Sequence, residues 1–439
     1  MQTLEQLRSG ELAGSTSLKL SCGLTEFPEE LFGLANTLEL LDLSNNHLKS
    51  LPFDFSRFSK LKIAFFSDNL FTEYPEVLAS CPLLEMVGFK SNQLVHVSEK
   101  ALSKNIRWLI LTNNKIQQLP KSIGHCYRLQ KVALAGNCLR ELPDEMAECR
   151  NLELLRISAN NIQKLPEWLM RLPKLSWLAY SDNPCSVAQQ SNVLLPEISW
   201  NDLELKEQLG EGASGIISKA VWNNFFQKEV AVKVFKGEVT SDGLPLSEMN
   251  TCSLAGNHPA LVTLLGKISH HPHQKEGLVF DLIPPSFRNL GKPPSFITCT
   301  RDTFEKHTCF SLKDLTQIAL QTASVLEQLH SKGIMHGDFY AHNLMSDDQS
   351  NVLLGDFGAA TMYDRSSPES GSHEKMDIRA YGCLLDDLLE HLSAEEKEHP
   401  ITEHFKILRK ECFLENVQER PVFSEIQKQI TSLIDKVLI

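Results

Sequence analysis

Several things are missing from this 439-residue sequence, and each absence narrows what the chain is. No stretch approaches 18 uncharged apolar residues, so a membrane-spanning helix is not expected. The eleven cysteines include no C-x-x-C pair, which signals neither a disulfide framework nor a zinc site and suits buried, reduced thiols. Basic residues are outnumbered, 43 Lys plus Arg against 55 Asp plus Glu, and a net charge of -12 argues against a surface that neutralises nucleic-acid phosphates or anionic lipid. Residues 1–15 carry Glu5, Arg8 and Glu11 and no apolar core of a signal peptide. A cytoplasmic protein without a membrane span or nucleic-acid partner is expected. Hydrophobic residues make up 42% of the chain and charged residues 22%, which is globular usage. At roughly 150 residues per domain the length allows about three domains, fewer if repeats are present.

Repeats are present. Asn46, Asn69, Asn92, Asn114, Asn137, Asn160 and Asn183 follow one another at 23, 23, 22, 23, 23 and 23 residues. Each closes a unit L-x-x-L-x-L-x-x-N-x-L, as in Leu38, Leu41, Leu43, Asn46, Leu48 and again in Leu152, Leu155, Ile157, Asn160, Ile162. Pro52, Pro75, Pro120, Pro143 and Pro166 recur in phase, and Ser98 breaks that column. With an imperfect opening unit at Leu18–Leu24 the series numbers eight and resembles the leucine-rich repeat. Such units stack as a solenoid: the leucines face inward, and the Asn amide, with two donors and one acceptor, serves backbone groups of the neighbouring turn. Residues 1–15, with Leu4, Leu7 and Leu12, are expected to form a helical cap, and 16–185 the repeats.

Between the buried leucines, Leu40, Ile63, Met86, Trp108, Leu154 and Trp177, with Phe65 and Ile110 beside them, are expected to face outward on the concave side. At ~4.8 Å per strand they would line a ribbon about 30 Å long. An exposed apolar area of about 600 Å² would suit protein docking, anchored by Trp108 and Trp177 unless this chain's own second domain covers it.

After a linker at 186–199 the sequence changes character, and a second domain is expected over 200–439. Leu209-Gly-Glu-Gly-Ala-Ser-Gly-Ile-Ile217 sets Gly210, Gly212 and Gly215 in G-x-G-x-x-G spacing. A dinucleotide fold needs a helix after these glycines, but β-branched runs follow, so the glycines belong to a hairpin whose bare amides can approach phosphate oxygens. Val230-Ala231-Val-Lys233 stands on the next strand. Together these residues resemble the protein-kinase family, and the remaining elements follow in family order. Glu248 is the candidate helix partner of Lys233, with Glu238 less well placed. Phe280 and Asp281 stand at the hinge of the adenine pocket, and Ile217 and Ala231 would border it. His336-Gly-Asp338-Phe-Tyr-Ala-His-Asn343 matches H-R-D-x-x-x-x-N, Asp356-Phe-Gly358 follows, Asp377 with Gly382 resembles an anchoring helix, and Cys412 with Glu419-Arg-Pro resembles the closing segment of tyrosine-kinase-like kinases.

The resemblance implies a leucine-rich-repeat α/β solenoid followed by a two-lobed α+β kinase-like domain. It implies ATP and Mg²⁺, with Asp338 at the acceptor hydroxyl, Lys233 on the nucleotide phosphates, and Asn343 and Asp356 as magnesium ligands. The expected activity is transfer of the γ-phosphoryl group to a protein hydroxyl, serine or threonine favoured; the alternative is a pseudokinase scaffold. Departures from the family are Gly337 in place of the loop Arg, Tyr340 where serine/threonine kinases place a Lys, His342 as a partial substitute, and a short activation segment. Ser367-Pro-Glu369 matches A-P-E poorly in that segment, which implies a reduced peptide platform, and Ser366, Ser367, Ser370 and Ser372 are nearby hydroxyls.

Overall fold

The computed structural model describes residues 2–187, 195–212, 214–237, 239–240 and 242–437; Glu238 and much of the expected linker lie outside them. The chain divides into two compact units, one of residues 1–172 with 183–185, the other of 173–182 with 186–439.

The first unit is a stack of three-residue parallel strands, from Ser17–Lys19 through Leu40–Asp42, Ile63–Phe65, Met86–Gly88, Trp108–Ile110 and Lys131–Ala133 to Leu154–Arg156. They pair in unbroken register, Leu40 beside Ile63, Ile63 beside Met86, Met86 beside Trp108. The middle residue of each strand is buried against the next, as Leu41, Ala64, Val87, Leu109, Val132 and Leu155 show at 0 or 1% exposure. After most strands the chain returns through a short 3₁₀ helix, with Pro28, Pro75, Pro120, Pro143 and Pro166 at the cap. Proline suits that place because its fixed φ starts the turn and its missing N–H would have no helical partner. The repeat whose proline is replaced by Ser98 has a plain turn there. The N-terminal helix is short, Leu4–Arg8, capped by Thr3, with Leu7 buried.

The recurring Asn acts as a bracket between turns. Asn114 donates through Nδ2 to the carbonyls of Phe89 (2.8 Å) and Leu111 (3.0 Å), while its Oδ1 accepts from the Leu94 amide (2.9 Å). Asn69, Asn92, Asn137 and Asn160 repeat the pattern. The residue before each ladder Asn is left-handed: Asn45, Asp68, Ser91, Asn113, Gly136, Ala159 and Asp182 have φ between 51° and 69°. Asn, Asp and Gly tolerate that region best. Asn114→Ala orphans several buried backbone groups and is expected to destabilise the stack by about 2–3 kcal/mol, read as a lower urea midpoint for its unfolding.

The outward ribbon differs from expectation. Leu40, Ile63, Phe65, Trp108 and Ile110 are half-buried, but Met86, Leu154 and Trp177 are 2, 4 and 1% exposed. Met86 lies between Ile63 and Trp108 in register, and at ~4.8 Å between strands such large side chains cover one another. Trp177 is covered within the second unit, as described below. Lys131, in register beside Trp108, lies over the indole ring at 4.3 Å.

The second unit opens with a six-stranded sheet, ordered Leu203–Glu211, Gly215–Trp222, Lys228–Phe235, Gly277–Asp281, Leu264–Ser269, Glu197–Ser199. The last of these strands falls in the segment expected as linker; it pairs in parallel with Leu264–Ser269 because Ile198 belongs to the core cluster with Val230, Val232 and Val279. Helix Pro245–Ala255 follows the Lys233 strand. A helical lobe follows, built on Leu312–Ser331, Ser370–Glu390, Pro400–Cys412 and Phe423–Val437. The chemistry-bearing loops lie between Ile334 and Met362, whose two flanking strands, Ile334–Met335 and Thr361–Met362, pair antiparallel.

Candidate active site

A cleft of about 360 Å³ is lined by residues from the sheet, the Pro245–Ala255 helix and the loops. Gly212, Gly215, Ile217, Ala231, Lys233, Glu248, Phe280, Asp281, Asn343 and Asp356 all border it. Its apolar lining includes Leu261, Val262, Leu264, Ile283, Met345 and Leu353, which no motif singled out; their only sequence signal is an apolar residue beside a motif. Gly210 is not among the lining residues; it pairs with Ile217 inside the hairpin. At Gly212 a Cβ would meet only open space, so the backbone is accessible to a ligand, whereas at Gly215 it would meet the Val234 carbonyl at 2.7 Å.

Lys233 stands on the central strand and reaches Glu248 on the helix, forming a buried ion pair. Burial works against the Lys233 charge, but Glu248 and Asp356 outweigh it and hold the pKa above its ordinary value. The ammonium is therefore fixed in place and charged at the mouth of the glycine hairpin. Cys252, one turn beyond Glu248, is buried on the same wall, and burial pushes its thiol well up.

The loop bearing Asp338 is held by one carboxylate. Asp377, fully buried on helix Ser370–Glu390, accepts from the His336 amide (2.8 Å) and the Gly337 amide (3.1 Å) and bonds the His330 ring (2.9 Å). Asn343 donates through Nδ2 to the Asp338 carbonyl (2.9 Å) and to its Oδ2 (2.8 Å), so the amide oxygen is the Asn343 atom left to bind a cation. Asp356 has φ 52°, a left-handed conformation with a real steric cost for Asp, and its Oδ1 accepts from the Gly358 amide at 3.2 Å. Asp338 is half-buried and stands beside the cleft, not among the residues lining it. An amide oxygen and a carboxylate on the cleft wall are the hard donors Mg²⁺ takes when phosphates and water complete its shell.

His342 borders the cleft too. Its Nδ1 lies 2.6 Å from Asp302, whose other oxygen accepts the His342 amide (3.1 Å). Burial opposes protonation here, but Asp302, with Asp338 and Asp356 beyond, raises the pKa above its ordinary value. The Asp302 partner carried no motif signal, 36 residues before Asp338 on an irregular segment.

The activation segment is compact. Ser366 Oγ bonds Asp364 in an exposed turn, and Ser372 is buried against Gln418, which removes it from the accessible hydroxyls. His373 stacks on Tyr363 with centroids 4.4 Å apart and shares a 2.8 Å hydrogen bond with Tyr180. Burial, reinforced by nearby His330, lowers the His373 pKa from 6.5 to about 4. The unfolded chain therefore takes up a proton between those values that the folded chain does not. This contribution is intact above pH 6.5 and is lost as pH falls toward 4, by ~3 kcal/mol at ~1.4 kcal/mol per pH unit. His373→Gln is expected to flatten that acid limb, seen by comparing thermal unfolding at about pH 7.5 and about pH 4.5.

Among the described residues no helix is long and apolar enough to cross a membrane. The leucine-rich repeat profiles match residues 37–58 and 127–184. Among similar proteins are a probable serine/threonine-protein kinase of Dictyostelium discoideum, 28% identical over 43% of this chain and 12% of its own length, and the fibroblast growth factor receptor homolog 1 of Drosophila melanogaster, 26% identical over 53% and 38%. A tyrosine-protein kinase receptor of Danio rerio is 29% identical over 40% of this chain and 21% of its own. The chain thus covers well under half the length of these relatives. The protein kinase domain profile matches residues 203–439, over half of the sequence, and with the leucine-rich repeats before it the chain belongs to the protein kinase family.

Proposed function

We propose that the chain is an ATP-dependent protein kinase that transfers the γ-phosphoryl group to a protein hydroxyl, serine or threonine favoured, with the repeats as its docking module. The observation that carries this reading is the buried Lys233–Glu248 pair lining one cleft together with Asp356, Asn343 and glycines of the hairpin. In the reaction Lys233 holds the nucleotide phosphates and Asp338 orients the acceptor hydroxyl and takes its proton. The acceptor oxygen bonds the γ-phosphorus as the bridging bond to the β-phosphate breaks, and ADP leaves. Magnesium held by Asn343 and Asp356 would neutralise charge on the phosphates. Half-buried Leu40, Ile63, Phe65, Trp108 and Ile110 support the docking role. A cytoplasmic location belongs to the same proposal, and the burial of seven of the eleven cysteines as thiols is in keeping with it.

The relatives' names divide between serine/threonine and tyrosine kinases, so the assay carries both kinds of acceptor. Purified chain is incubated with labelled ATP and Mg²⁺, alone, with casein, and with a tyrosine copolymer, beside Asp338→Asn and Lys233→Met. Label incorporated by the native chain and lost in both variants is the expected result. Equal background in all three, with nucleotide still bound, overturns catalysis in favour of a scaffold.

A further inference from the structure

We propose that residues 173–182 form a built-in strap that positions the catalytic loop and the Glu248 helix, with Trp177 and Asp182 as its positioning residues; the catalytic part of this inference rests on the kinase reading above. The strap belongs to the second unit and touches five parts of it. At its start, the Pro173 carbonyl accepts from buried Arg420 (2.7 Å) and the Lys174 carbonyl from Arg379 (3.0 Å). Trp177 then lies flat on Tyr340, centroids 4.3 Å apart and planes at 7°, and donates its indole N–H to the Phe339 carbonyl at 3.0 Å. Phe339 and Tyr340 are the two residues after Asp338. The Tyr340 ring passes the contact on to His342 at 4.9 Å.

Further along, the Tyr180 amide donates to Thr361 Oγ1 (3.3 Å) and its hydroxyl meets His373. At its end, Asp182 Oδ1 accepts from Ser247 Oγ at 2.5 Å, one residue before Glu248. A rigid aromatic stack with a satisfied N–H is a low-entropy way to fix a loop. The departures from the family pattern fall where the strap touches. Tyr340 is the surface Trp177 needs, and Gly337 leaves room for the Leu178 carbonyl, which a Cβ would meet at 2.3 Å. The strap coexists with a formed Lys233–Glu248 pair and an open cleft, which favours positioning over occlusion.

Amide hydrogen exchange and steady-state transfer on the full chain test this with Trp177→Ala, Trp177→Phe and Ser247→Ala. Trp177→Ala is expected to speed exchange over 336–343, Ser247→Ala over 245–255, each leaving the repeat strands before Pro173 unchanged. The turnover number falls about 10- to 100-fold while the KM for ATP stays within about twofold, and Trp177→Phe, which keeps a ring but loses the N–H, lies between. Unchanged exchange in both segments overturns the strap. Faster turnover in Trp177→Ala overturns it in favour of an occluding segment. If Trp177→Ala fails to fold, Trp177→Phe and Ser247→Ala decide between the same outcomes. If the native chain transfers nothing, the kinase reading fails, and exchange alone decides whether the strap holds these elements.

Discussion

Asp338→Asn is expected to lower phosphoryl transfer by about 10²- to 10⁴-fold while leaving nucleotide affinity within about threefold, the usual loss when a positioned proton acceptor is removed. The substitution is nearly isosteric, and the contacts that place the loop use other atoms: the His336 and Gly337 amides on Asp377, and Asn343 Nδ2 on the Asp338 carbonyl. What is lost is the negative oxygen that accepts from Asn343 at 2.8 Å and would accept the acceptor's proton. Lys233→Met acts on the other reactant. It removes the ammonium held by Glu248, leaves that carboxylate buried without its counter-ion, and is expected to cost nucleotide affinity as well as rate. The two variants therefore separate: titration with a fluorescent ATP analogue should find near-native binding in Asp338→Asn and weakened binding in Lys233→Met. Equal loss of binding in both would mean that Asp338 supports the cleft rather than the acceptor.

Local periodicity and ordered motifs make much of this legible in the sequence. The Asn series marks the repeat because each amide must bracket adjacent turns, and Asn114 does so with backbone partners on both sides. Lys233, Glu248, Asn343 and Asp356 are legible because the proposed phosphate and metal chemistry would restrict which residue types can stand there, and they border one cleft. The apolar lining is not, because Met345 and Leu353 are chemically ordinary and are chosen only by packing. Asp302 is invisible for a different reason, since its partner His342 is 40 residues away. Trp177 misleads: the repeat pattern places it on the outward column, and no periodicity reports that Tyr340, far along the chain, will cover it. The strand Glu197–Ser199 is hidden because two of its three residues are polar, and Ile198 is the one that enters the core.

Gly337 connects that unread packing to the most visible break in the family pattern, and restoring a side chain there is expected to damage the protein. Its φ is 68°, which costs a residue with a Cβ about 1–3 kcal/mol. The added Cβ would also stand 2.3 Å from the Leu178 carbonyl and 3.1 Å from that of Ala359, backbone atoms with no rotamer to escape into. Forced overpacking adds about 1–3 kcal/mol. Gly337→Ala should therefore cost about 2–6 kcal/mol, and at ~2–4 °C per kcal/mol for a domain of this size the unfolding transition of the second unit should fall by roughly 5–20 °C. Gly337→Arg, although it rebuilds the family's H-R-D sequence, should fall at least as far, because the longer side chain starts from the same blocked Cβ. Differential scanning calorimetry of the native chain and both variants checks this. A native-like transition in Gly337→Arg would show that the Leu178 carbonyl yields readily and that glycine is not required at this position.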